Sequence, residues 1–136
     1  MHLESTFTVT HFTPAEVTDG DPVVTGVSVG AATMGKQFTG DVVGRSATLF
    51  TSAFDPERGT GTYLAIESFE GTVAGHGGTF AFVHGASTRG EDRVDEHFAL
   101  VPGSGTGALA GISGSGALWV DPDGTHRLHL DCTLDA

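Results

Sequence analysis

Tyr63, Glu67 and His84 are the residues whose types and spacing could do acid/base chemistry. Side chains two or four apart on a strand share a face, so Tyr63, Glu67 and Phe69 project together. The following run alternates Phe80, Phe82 and His84 with Ala81, Val83 and Gly85. A two-residue loop at Gly75-His76, with glycine first as a type II′ turn prefers, sets Glu67 opposite His84 and Phe69 opposite Phe82. A four-residue loop slides the register by two and keeps the same face. Burial raises a glutamate pKa, and pairing with an imidazole opposes that rise. A carboxylate, an imidazole and a phenol in an apolar cavity make an acid/base site, so Glu67, His84 and Tyr63 are the candidate catalytic residues. Phe69, Phe80 and Phe82, with His11 and Trp119 from other strands, are the candidate ligand-contacting residues. The plainer alternative is a buried Glu–His hydrogen bond that only shapes the pocket. Replacing Glu67 by Gln is expected to remove the charge and leave the fold intact.

Other chemistries find less support. His126 and His129 are three apart, so on a strand they point to opposite faces, while His2, His76 and His97 read as loop or surface residues. No metal site is therefore expected. The glycines of Pro102 to Gly107 have no helix after them, and the only lysine is Lys36, so neither a dinucleotide nor a phosphate loop is present. No cofactor is expected. A Gly-x-Ser-x-Gly elbow is missing. Cys132, the single cysteine, reads as a small buried hydrophobe and excludes an internal disulfide.

These residues must be positioned by strands. The chain holds 21 Gly, 18 Thr and 13 Val, and no window carries apolar residues at helical spacing with caps. Turn signals fall at Asp19 to Pro22, Val43-Gly44, Asp55 to Gly59, Ala74 to Gly78, Thr88 to Asp92, Pro102 to Gly107 and Asp121 to Gly124. They separate eight predicted strands, at about 3–13, 25–42, 45–54, 60–73, 79–87, 93–101, 108–121 and 125–134. Trp119 then shares a strand face with Leu109 and Ala117. In the last strand His126, Leu128, Leu130, Cys132 and Leu134 share an apolar face, and Arg127, His129, Asp131, Thr133 and Asp135 share the other. Eight strands with no covering helix predict an all-β fold, an eight-stranded antiparallel closed β-barrel over residues 1–136, with a Greek-key sandwich as the alternative. Strand 60–73 is apolar on both faces, so Leu64 and Ile66 need cover; a homo-oligomer (dimer or trimer) is expected to supply it, with a chain terminus packed across the face as the alternative.

Charge narrows the partners. Seventeen acids against six bases give a net charge of -11, unsuited to nucleic acid or anionic membranes. No apolar run approaches the roughly 20 residues of a membrane span, and no signal segment is seen, so a cytoplasmic location is expected.

The segments Gly61 to Glu67, Phe69 to Thr72, Gly78 to His84 and Val101-Pro102-Gly103-Ser104-Gly105-Thr106-Gly107, in this order, resemble a bacterial family of unknown function with an allene-oxide-cyclase-like barrel. The resemblance runs from about residue 5 to residue 134. It implies a central cavity like that of plant allene oxide cyclases and dirigent proteins, which steer ring closure or coupling of reactive lipids or phenols without a cofactor. It supplies no catalytic residues. His11-Phe12 stands where a tryptophan is expected and Cys132 where a tyrosine is common, which implies a different ligand. Two functions follow: a cofactor-independent isomerase or cyclase acting on a small apolar molecule, or a non-catalytic carrier of one.

Overall fold

The computed structural model describes residues 1–17 and 20–134. Its strands are β1 (His2–Ala15), β2 (Val29–Gly40), β3 (Val42–Asp55), β4 (Thr60–Val73), β5 (His76–Arg89), β6 (Asp92–Leu100), the two-residue β7 (Thr106–Gly107), β8 (Ile112–Val120) and β9 (His126–Leu134). Among the described residues there is no helix, and hence none long and apolar enough to cross a membrane. The sheet runs β6-β5-β4-β3-β2-β1-β9-β8, every pair antiparallel, with β7 beside the start of β5. Eight antiparallel strands thus form a nearly closed barrel. The predicted Asp19 to Pro22 turn begins at Asp19, and Asp135 belongs to the polar face expected of the last strand; both residues lie outside the described ones.

The sheet stops one ladder short of closure. β6 and β8 face each other without pairing. Side chains bridge this seam instead: Arg93 Nη2 donates to the Leu118 carbonyl at 3.0 Å. Phe98 lies over Gly116, where an added Cβ would stand 2.9 Å from its ring. The unpaired edges are therefore covered rather than free.

Alternation decides what fills the barrel. The inward rows supply Phe38, Phe69, Phe80, Phe82, Leu128 and Leu130, all buried. Ring centroids 5.7 Å apart for Phe38–Phe69, 5.2 Å for Phe69–Phe80 and 5.7 Å for Phe80–Phe82 make one aromatic cluster. The backbone leaves room for it at Gly71, whose φ of +152° suits glycine and whose added Cβ would meet the Val43 carbonyl at 2.1 Å and Phe69 Cζ at 3.0 Å.

Three predicted turns and ends are corrected. The chain reverses at Gly40-Asp41, not at Val43-Gly44, and Gly44 lies inside β3 opposite Gly71. The β4–β5 loop is Ala74-Gly75, with φ of 48° and 82°, a turn of type I′ sign rather than the expected II′ at Gly75-His76. The register slides by two, so Glu67 pairs with Phe82 and Ala65 with His84, on the same inward face. Finally, β8 begins at Ile112. Leu109 sits before it in a turn, fully buried in the core cluster, and shares no strand face with Trp119.

Candidate functional site

Four neighbouring strands point polar groups at one spot of the inner wall. Lys36 on β2 stands opposite Ser46 on β3, and Thr48 on β3 stands opposite Glu67 on β4. His84 on β5 is the diagonal neighbour of Glu67, within reach of long side chains. All five are buried.

Glu67 is the hub. Its Oε1 accepts from Lys36 Nζ and from His84 Nε2 at 2.7 Å, and its Oε2 accepts from Ser46 Oγ at 2.8 Å. Burial, the strongest single influence, pushes its carboxyl up; the His84 hydrogen bond and the Lys36 charge together outweigh it and hold the pKa below the ordinary value. An ionised carboxylate only accepts, so Nε2 of His84 carries a hydrogen. In the neutral imidazole Nδ1 then accepts from the Tyr63 hydroxyl, 2.9 Å away. Arg93 Nη2 donates to the same phenol oxygen at 3.0 Å, and its Nε donates to Glu96 at 2.6 Å. A continuous chain therefore runs Arg93–Tyr63–His84–Glu67–Lys36.

Two partly open cavities meet at this chain. The inner one, about 140 Å³, is walled by Phe7, Met34, Lys36, Thr48, Tyr63 and His84, among others. The wider one, about 480 Å³, is walled by Phe12, Phe54, Ala86 and polar residues of the β5–β6 hairpin. Phe50, Tyr63 and Arg93 belong to both walls, with the Phe50 and Tyr63 rings stacked at 5.6 Å. Thr48 Oγ1 is buried in the wall of the inner cavity and has no hydrogen-bond partner among the described residues.

A family model described as a protein of unknown function, DUF3224, matches residues 3–132. The chain belongs to the DUF3224 family. A solved DUF3224 structure from Shewanella oneidensis MR-1, also of a protein with unknown function, is 27% identical with a TM-score of 0.81, covering 100% of this chain and 98% of that one. No curated protein matches.

Within this DUF3224 barrel, Tyr63, Glu67 and His84 come together as the sequence implies, but their placement differs from the expected one. Tyr63 and His84 reach the cavity, while Glu67 stays behind them, hydrogen-bonded to His84. Phe69, Phe80 and Phe82 fill the core and do not line either cavity. His11 is exposed on the outer face against Gly35, because a bulge between Val9 and His11 reverses the alternation and turns Phe12 toward the wider cavity. Trp119 pairs with Arg127 on the side of β8 opposite buried Leu118. It donates to Asp121 at 2.9 Å and joins the inner cavity's wall beside Val120 and His126.

Lys36, Ser46, Thr48 and Arg93 carry much of the site and were not singled out by motif. A signal existed for Lys36: it is the only lysine and alternates with Met34 and Phe38 on an inward row. Glu67→Gln is therefore not a silent change, since it leaves the Lys36 ammonium buried against a neutral amide.

Proposed function

We propose that this DUF3224 barrel binds a small, largely apolar molecule bearing one polar oxygen, and that Tyr63 is the group that handles that oxygen. The observation that carries this reading is Tyr63, a residue of both cavity walls whose hydroxyl is held between Arg93 Nη2 and His84 Nδ1. Phenylalanine and methionine side chains supply apolar walls, and the unpartnered Thr48 hydroxyl offers a second polar contact.

Isomerisation or ring closure without a cofactor suits the arrangement, because such reactions need no net proton, electron or water. Tyr63 donates its proton to the substrate oxygen while Arg93 steadies the phenolate. That phenolate takes a proton back as the isomer forms, and His84, held in place by Glu67, accepts from the Tyr63 hydroxyl before and after the cycle. Confinement in the cavity holds a flexible substrate near its reactive shape. A carrier uses the same cavity without turnover, and the withdrawal of Glu67 from the wall favours that second reading.

The test is native mass spectrometry of the purified protein after incubation with an organic extract of its source organism. One small-molecule adduct is expected, weakened in Thr48→Val. Under the enzyme reading, the wild type returns the compound as an isomer with a changed chromatographic retention and Tyr63→Phe returns it unchanged. A compound released unchanged by both proteins supports the carrier, and no adduct with either overturns both readings.

A further inference from the structure

The outer face where β1 meets β9 carries a cluster that the cavity site does not use. His2 pairs with Asp131 and Glu4 pairs with His129 across the ladder. Alternation puts all four side chains on one outer face, as two imidazoles and two carboxylates at the corners of a single patch. His2 Nδ1 lies 2.8 Å from Asp131 Oδ1, and His129 Nε2 lies 2.9 Å from Asp131 Oδ2. The two imidazole rings meet edge to face with centroids 4.1 Å apart. The ligating atoms of His2, His129 and Asp131 all lie within 4.8 Å of one another.

We propose that His2, His129 and Asp131, with Glu4 beside them, form a binding site for a divalent transition-metal ion of the zinc, nickel or copper class. Neighbouring ligands around such an ion, with bonds of about 2.0–2.1 Å, stand roughly 2.9–3.4 Å apart. Both His–Asp separations are near that range, and closing on an ion asks the two imidazoles to turn from their separate Asp131 oxygens toward one centre. Imidazole nitrogens mixed with carboxylate oxygens suit these ions, whereas calcium and magnesium prefer oxygen alone. The net charge of -11 adds a favourable field for any cation. The frame is stiff, because both strands are held by continuous backbone pairing and His129 is only 17% exposed. Coordination positions left by the protein remain open to water.

Sequence spacing hid this site. His126 and His129 do point to opposite faces, as their separation requires, but the partner of His129 comes from the other end of the chain.

Titration calorimetry of tag-free protein with zinc, nickel and copper chlorides tests the site, with calcium chloride as the control. One ion per chain is expected, with no calcium binding. His129→Ala and Asp131→Asn should each weaken the constant at least about tenfold, as loss of a direct ligand should exceed the 10- to 100-fold seen for outer-shell partners. His97→Ala, at an exposed histidine outside the cluster, should leave it unchanged. Zinc should also raise the unfolding temperature of wild type more than that of His129→Ala. The proposal is overturned if none of the three ions binds below millimolar concentration. It is equally overturned if His129→Ala and His97→Ala bind alike. Asp131→Asn, at a half-exposed surface position, keeps the test decisive should an alanine variant fold poorly. None of these outcomes depends on Tyr63.

Discussion

Glu67 accepts from three side chains and has no surface of its own, so its charge belongs to the group it organises. Removing one partner of a buried ion pair costs about 3–5 kcal/mol, because the other charge stays buried and unpaired. Glu67→Gln should lose that much stability in denaturant unfolding, and Lys36→Met combined with it should recover part of the loss. A loss below about 1 kcal/mol would show that Lys36 escapes to water. Acidity should act through the same group. The folded Glu67 pKa lies below its ordinary 4.5, so its contribution is fully present above that value. It is lost as pH falls through the lower folded value, and Glu67→Gln should flatten the stability–pH curve in that window. Much of this was readable in the sequence, where alternation placed Tyr63 and Glu67 on one face and a hairpin loop of even length brought His84 to the same face. For Lys36 the only signal was its place between Met34 and Phe38, and exposed Arg93 gave none, because long cations ordinarily sit in water.

Strand alternation, once started, carries through an element unless a bulge intervenes, and this is where the reading of the elements succeeded and failed. In β9, His126, Leu128, Leu130 and Cys132 keep one face throughout. In β1 the irregularity after Val9 exchanges the roles of His11 and Phe12, and nothing in the local residue types announces it. Turn position was similarly ambiguous, since Gly40, Gly44, Gly71 and Gly75 all offer a break and only two are used as one. Gly71 is the sharper case, because its left-handed backbone serves close packing inside the strand. Gly71→Ala should cost about 1–3 kcal/mol through overpacking against the Val43 carbonyl and Phe69. Thermal unfolding checks it, and an unchanged midpoint would mean that β3 and β4 separate there at little cost.

Across the whole molecule, the outer wall of β3 and β4 shows Leu49, Leu64 and Ile66 about half exposed, with Leu49 directly opposite Ile66. A dimer or trimer is the expected solution state. Light scattering should report it, and Leu64→Lys should reduce the mass to that of one chain. A wild type that already weighs one chain refutes the expectation. The ladder between β1 and β9 has a different consequence, in time rather than space. It joins residues such as His2 and Asp131, 129 positions apart, so the chain must close a very large loop before these contacts stabilise anything. Until β9 docks, β1 is a bare edge, open to pairing with another chain. Refolding should therefore be slow, in milliseconds to seconds, and its yield should fall as protein concentration rises. Because closing this ladder limits folding, substitutions at Leu3 or Leu130 should slow folding more than they speed unfolding, and the reverse pattern would show that the ladder forms after the rate-limiting step.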